Sequence, residues 1–325
     1  TGDTVVVARG DGTIDVLDVA SASLRQRLRG VAAAALHSQT ISPQGSVIAT
    51  VHADGSLRLW PTARPFGAMV GIKGVGQSLA LSPDDKSAFV GAFNSQIHVV
   101  DLETRSVGSV MKVEHSGVVA PLVVMPARDG EAASLVAGGR TGECHVFTLD
   151  GKLQAASRHE GERVQAIVAL PATDTLVIAD RKRSLIGQRR DGRLLWKTQP
   201  GAGNISCLAG TSDGKRVAAM TRAFIILIDP QTGQEVQRWR SSGVVRAATF
   251  SPDAKHLVAA QSDGTICRYD ATTGSIVSVW QTSHTALTQV AYAPGGQQVA
   301  AADEAGHVFL CDIGQSSARR LGMHS

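Results

Sequence analysis

The sequence predicts an all-β fold of short four-stranded antiparallel sheets repeated around an axis, and three observations predict it. The first is a set of polar breaks between apolar runs: Asp11-Gly12-Thr13, Asp54-Gly55-Ser56, Asn94-Ser95-Gln96, Thr141-Gly142-Glu143, Arg183-Ser184-Leu185, Arg222-Ala223-Phe224, Asp263-Gly264-Thr265 and Ala305-Gly306-His307. Their middle residues lie 43, 40, 47, 42, 39, 41 and 42 positions apart. Self-similarity at one period marks a repeat architecture, and 325 residues hold close to eight such periods. The second is another set of breaks between the first, in which six of the eleven prolines fall. The third is that the segments in between are short and rich in β-branched or aromatic residues, with no 3.6-residue period and no caps.

Taken in order, one period opens on a strand a. A turn follows, such as Ser42-Pro43-Gln44-Gly45, Ser82-Pro83-Asp84-Asp85, Ser251-Pro252-Asp253 or Ala293-Pro294-Gly295-Gly296. Proline sets φ for a turn and cannot donate inside a central strand. Strand b comes next, as in Val47-Ile48-Ala49-Thr50-Val51, and the first set of breaks then forms the b–c turn. Strand c is exemplified by Leu57-Arg58-Leu59-Trp60 and Ile97-His98-Val99-Val100. A c–d turn such as Asp229-Pro230-Gln231-Thr232-Gly233 or Asp270-Ala271-Thr272-Thr273-Gly274 leads into strand d. A lone four-stranded sheet cannot bury both faces, and stacking such sheets radially solves that problem, which is a β-propeller.

There are eight b–c turns but seven a–b turns. Thr1-Gly2-Asp3-Thr4-Val5 aligns with the tail of an a–b turn, and the chain ends on Leu321-Gly322-Met323-His324-Ser325, where a next repeat would begin. The expectation is one domain over residues 1–325 with eight blades, blade 1 lacking strand a. That seam is either a three-stranded closure or the cut end of a longer protein. A seven-bladed ring with residues 1–30 as extra strands is the alternative.

The pattern resembles the WD40-repeat family over nearly the whole chain. Strand c ends on Leu59-Trp60, Val100-Asp101, Ile228-Asp229, Tyr269-Asp270 and Cys311-Asp312, where the family has Trp-Asp. His115, His159, His284 and His324 stand where the family has Gly-His, although none follows a glycine. The resemblance implies that such a histidine bonds an Asp in the following b–c turn, and His159 with Asp180 and His284 with Asp303 fit that role. Asp191-Gly192-Arg193-Leu194-Leu195-Trp196 is closer to the repeat of quinoprotein-like propellers, with Trp239 and Trp280 two residues later relative to their glycines. The chain thus reads as a divergent propeller of bacterial style.

Composition excludes several classes. A hydrophobic content of 43% with 18% charged residues rules out a disordered tail. Apolar stretches reach about six residues, as at Ala223 to Ile228, against roughly 18 for a membrane span. No signal-peptide pattern begins at Thr1. A net charge of +4 is too weak to argue for nucleic acid. The cysteines have no zinc or redox spacing, so Cys144, Cys207, Cys267 and Cys311 are expected as free thiols, which favours the cytoplasm. A removed signal peptide would instead place the chain in the periplasm. One histidine per repeat does not converge on a metal, and no G-x-S-x-G, P-loop or H-E-x-x-H is present. Neither a metal nor a cofactor is therefore expected.

The leading expectation is a non-catalytic scaffold or sensor that binds a protein partner on a loop face. That partner is an acidic surface or another domain of the same polypeptide. The candidate contacts are His52, Phe93, Asn94, Arg140, Arg181, Lys182, Arg183 and Arg222, all at b–c turns. Arg189, Arg190 and Arg193 follow the Arg181 cluster closely, but strand c separates the two groups and puts them on opposite faces. The alternatives are a quinoprotein-like cofactor-binding or enzymatic propeller, and weak nucleic-acid binding.

Overall fold

The computed structural model describes residues 4–8, 13–21, 23–28, 34–62, 67–114, 117–128, 130–159, 162–201 and 203–322. They form eight antiparallel sheets, one of three strands followed by seven of four. Blade 1 runs over Thr4–Leu28, blade 2 over Leu36–Gly71, blade 3 over Gly76–Lys112 and blade 4 over Val119–Arg158. Blade 5 spans Val164–Thr198, blade 6 Ile205–Arg240, blade 7 Val245–Gln281 and blade 8 Leu287–Gly322. Within each blade the strands pair in sequence order. The eight-bladed expectation holds, and the three strands of blade 1 take the b, c and d positions. A single 3-10 turn, Pro171–Thr173, is the one helical element among the described residues.

Burial explains the strand sequences. Strands b and c are sandwiched on both faces, so they read as nearly continuous apolar runs. Val217–Thr221 and Leu176 to Ala179 are buried throughout. Strand d is the outer edge, and Leu153–Arg158 and Glu235–Arg240 alternate between exposed and half-buried positions. The inner strands a pack side by side from blade 2 round to blade 8. Each of these seven a–b pairs carries a register shift next to its first residue pair. Such a bulge adds local twist and turns the start of each inner strand toward the axis.

Eight apolar clusters hold the ring, each shared by two adjacent blades. The last two close the circle. Val7, Leu17 and Val19 of blade 1 meet Val308, Leu310 and Leu321 of blade 8. Ile14, Val16 and Leu28 meet Ile48 and Trp60 of blade 2 on the other side. The three-stranded blade is therefore a full member of the ring.

The turns are built as their sequences require. In the a–b turns the buried Ser82 and Ser251 hydroxyls accept from Ser87 N at 2.9 Å and His256 N at 3.0 Å, and donate to Asp84 and Asp253. These hydroxyls hold the two carboxyls below their usual range. In the c–d turns Asp101 and Asp270 accept backbone N–H groups, which likewise lowers their carboxyl pKa.

The strand-d tryptophans reach across to the next blade. Trp196 donates to the carbonyl of Pro230 at 2.8 Å, and Trp280 to that of Gln315 at 2.8 Å. Trp239 packs its ring against Gly274, but its Nε1 is buried without a hydrogen-bond partner. The spacing differences seen in the sequence therefore do not stop any of the three from docking on the following c–d turn. Gly233 has φ of +72°, and a Cβ there would lie 2.4 Å from the Trp196 ring. Glycine is required on both counts. Gly233→Ala should cost about 2–4 kcal/mol through strain and the lost dock, read from denaturant melts. An unchanged midpoint would show that the dock contributes nothing.

Candidate interaction face

The b–c turns form one face of the ring, and the backbone clamps them from both sides. The turns donate to carbonyls just ahead of strand a in their own blade: Ala53 to Ala35 at 2.8 Å, Phe93 to Val75 at 3.2 Å, Arg181 to Arg163 at 3.1 Å and Glu304 to Ala286 at 2.9 Å. Other turn carbonyls accept from the residue that follows strand d, as Gly55 does from Ile72 and Ser95 from Val113. Six of the described b–c turns use one left-handed residue. Gly55, Gly142, Gly264 and Gly306 supply it in four blades, whereas Ser95 and Arg183 adopt φ of 60° and 69° in theirs. A β-carbon in that region costs about 1–2 kcal/mol, so Arg183 is held there by its surroundings. Its guanidinium donates to Asn204 Oδ1 at 3.1 Å, ahead of blade 6.

Seven of the eight candidate contacts are exposed on this face. Phe93 is 49% exposed, an uncommon state for a phenylalanine in a turn. Asn94 beside it donates to Lys73 O at 3.1 Å and Gln96 Oε1 at 2.7 Å. Arg140, Arg181, Lys182, Arg183 and Arg222 are exposed on the turns of blades 4, 5 and 6. Lys182 lies 3.9 Å from Glu162. The same turns of blades 2, 7 and 8 carry exposed Asp54, Asp263 and Glu304. The face is thus basic over one arc and acidic over the other. Arg246 at the start of blade 7 joins the acidic arc by pairing with Glu304 at 2.9 Å.

Arg189 and Arg190 lie at the far end of strand c, as expected. Arg189 donates to Thr173 O, and the buried Arg190 pairs with Asp174 and donates to Ala132 O at 2.8 Å. They brace loops of the opposite face and add nothing to the basic arc.

His52 is the exception among the candidates. It is 0% exposed and cannot meet a partner. Its Nε2 lies 2.9 Å from Thr50 Oγ1, and its Nδ1 lies 3.1 Å from Ala34 O. Trp60 Nε1 donates to the same Thr50 hydroxyl at 3.1 Å. A chain Trp60–Thr50–His52 therefore crosses from strand c to the loop ahead of strand a, entirely inside blade 2. The alternation of strand b was the available signal: Thr50 and His52 are two residues apart and so share one face of the sheet.

The two histidine–aspartate pairs expected from the repeat do not form. His159 Nε2 lies 3.1 Å from Gln188 Oε1 and 3.2 Å from Ser157 Oγ. Asp180 accepts instead from Ser184 N at 2.8 Å within its own turn. His284 is exposed, and Asp303 bonds Thr285 and, at 2.8 Å, His307. Asp180 is taken by a donor inside its own turn, and Asp303 by His307 at the end of its turn and by Thr285 beside His284. His115 and His324 lie outside the described residues.

All four cysteines are free thiols. Burial raises Cys144 and Cys311 to about 12 and Cys207 to about 11, which keeps them unreactive at neutral pH. Among the described residues no group of three or more His, Cys, Asp or Glu side chains converges to hold a metal. No helix among them is long and apolar enough to cross a membrane.

Known proteins match in two arcs. The family described as WD domain, G-beta repeat matches residues 25–61, from strand d of blade 1 through strand c of blade 2. That segment contains the whole Trp60–Thr50–His52 chain. The family described as Outer membrane protein assembly factor BamB matches residues 186–320, from blade 5 to blade 8. That segment contains all three docked tryptophans. The crystal structure of the computationally designed Ika8 protein superposes with a TM-score of 0.82 at 19% identity, over 96% of this chain and 93% of that one. A search of curated proteins gives no match. The chain is a WD40- and quinoprotein-like β-propeller.

Thr50→Val keeps the shape of the side chain and removes the hydroxyl, so Trp60 Nε1 and His52 Nε2 lose their shared partner. Leaving them unpaired should cost about 1–3 kcal/mol, measured by urea unfolding; a cost near zero would mean that the chain of bonds is idle. Burial also pushes the imidazoles of His52, His98 and His159 below their usual pKa. The unfolded chain then takes up protons first, near pH 6.5. Stability should be full above that pH and fall as pH drops through it toward the lower folded values. His52→Gln should make that fall shallower, and a flat profile in the parent chain would contradict the assignment.

Proposed function

We propose that this chain is a non-catalytic interaction scaffold that holds an acidic protein segment, from a partner or from another domain of the same polypeptide, on its b–c turn face. The contacts are Phe93, Asn94, Arg140, Arg181, Lys182, Arg183 and Arg222. One observation carries the reading. Five exposed cations stand on the turns of three successive blades, while acidic side chains occupy the turns across the ring. Same-sign charge on rigid, clamped loops steers an oppositely charged partner and fixes its orientation. Phe93 at the end of that arc offers an apolar anchor beside it. Three buried, unpaired thiols support a reducing compartment and favour the cytoplasm.

A fluorescein-labelled peptide of Glu, Asp and Ser serves as the probe. The double substitution Arg181→Glu with Lys182→Glu should weaken its binding by about tenfold or more with the melting temperature unchanged. Binding of the parent should weaken as salt is raised. A matching loss of stability would assign these side chains a structural role, and an unbound parent would sink the reading.

A cofactor-binding propeller is the second reading, favoured by the match over residues 186–320. Its residues fit poorly. One cleft beside the inner strands, about 260 Å³, is lined by Ser38, Gln77, Gln165, apolar residues such as Leu79 and Pro121, and one cation, Arg163, with no ligating cluster among the described residues. An absorption band beyond the aromatic range in the purified protein would favour this reading over the scaffold.

A further inference from the structure

Strand d closes each sheet on the rim of the ring, so one side of its backbone has no ladder partner among the described strands. Such an edge is a template for a further strand unless charge or brevity blunts it. Six of the eight outer strands carry a Lys or Arg. Ala68–Gly71 carries none but is only four residues long and ends on glycine. Ile276–Gln281 of blade 7 carries none over six residues. Its Ile276, Val277 and Val279 are 49%, 48% and 48% exposed. No Asp, Glu, Lys or Arg occurs anywhere from 271 to 302.

This strand is held firmly from behind. Trp280 is buried against blade 8 and donates to Gln315 O at 2.8 Å. Gln281 Nε2 donates to Ser283 O at 2.7 Å. The ladder also fixes which backbone groups face out. Thr282 N donates to Gly264 O at 3.1 Å, and antiparallel bonds alternate along a pair. In the observed register Trp280 and Ser278, opposite Ile266 and Arg268, therefore spend their groups on strand c. Val279 and Gln281 aim their N–H and C=O outward. Val277, Val279 and Gln281 lie at every second position and share the exposed face.

An edge of this kind fits itself. Pairing two copies antiparallel about a two-fold axis sets the edge against the same edge. On a charged edge, like charges would meet across that axis, which is destabilising. Here an axis at Val279 places Val279 opposite its own copy, with two backbone hydrogen bonds between them, and Val277 opposite the second copy's Gln281. The exposed valines of both copies then cover one another.

We infer that Ile276–Gln281 is a self-association edge, through which two copies of this chain join their blade-7 sheets into one continuous sheet. The edge lies on the rim, apart from the b–c turn face. Strand d runs toward that face, since the residue after it donates to a b–c turn carbonyl. Antiparallel pairing therefore points the two faces in opposite directions. The contact is small, so a Kd on the order of 10 μM is expected.

Sedimentation from about 1 to 300 μM, which brackets that value, should show the parent chain pass from one copy to two. Hydrogen exchange at Ile276–Gln281 should slow as concentration rises. Val279→Lys should stay a single copy throughout, with its melting temperature unchanged because the side chain is half exposed. Val279→Glu should do the same. An equimolar mixture of the two variants should dimerise again, because the axis then brings opposite charges together. Should either variant fail to fold, the concentration dependence of exchange in the parent keeps the test intact. A parent that stays a single copy at the highest concentration would overturn the inference. So would a dimer that survives in both variants, or slowed exchange confined to another edge such as Ser106–Lys112. A dimer lost at high salt would overturn it as well, since it would then join the basic arc of one copy to the acidic arc of another.

Discussion

Burial between blades is the constraint on which the rest of this structure depends. Each sheet has two faces, and neither can stay in water if strands b and c are apolar on both sides. The eight shared clusters show how the chain meets that demand: every sheet buries one face against the blade before it and one against the blade after. A linear stack would leave two terminal faces wet. The ring leaves none, and that is why blade 1 is held firmly by its neighbours with only three strands. Middle strands rich in alanine, such as His256–Gln261 and Gln298–Asp303, allow the close approach this needs near the axis.

Variation then falls to the turns, since the interior of each blade is committed to packing. The b–c turns are fixed by backbone hydrogen bonds and, in blades 2, 5, 6, 7 and 8, by a side chain such as Asp54, Asp180, Thr221, Asp263 or Asp303 that accepts a backbone N–H of the turn. The exposed side chains differ from blade to blade: basic on blades 4 to 6, acidic on blades 2, 7 and 8. Two local devices stiffen two arcs of one ring. In blade 2 a strand-c tryptophan, Trp60, is tied through Thr50 to His52. From blade 5 onward strand-d tryptophans dock on the next blade's c–d turn. The two family matches fall on the arcs that carry these two devices.

Most of the fold was legible in the sequence because turn chemistry is local. Ser-Pro-Asp, Asp-Gly and Asp-x-x-Thr-Gly each act within a few residues, so their positions mark the hairpins whatever the ring does. The placement of seven of the candidate residues on the b–c turn face was legible for the same reason, since a b–c turn residue lies there by topology alone. His52 was misread although strand-b alternation puts it on the face of Thr50; its second contact, with the loop at Ala34, is one its neighbours in sequence do not reveal. His159 was assigned the wrong partner because Gln188, from the next blade, competes for its Nε2. An aspartate placed correctly in sequence can still spend its oxygens on a closer backbone donor, as Asp180 does.

The sequence by itself determined the repeat, the order of strands within a blade and the blade count. All of these rest on contacts between residues close in the chain. Only the tertiary structure decided which face each polar side chain joins and which tryptophans bridge blades. Those outcomes depend on surfaces brought together by ring closure, between residues as far apart as Val7 and Val308. No pattern within a single repeat contains that information.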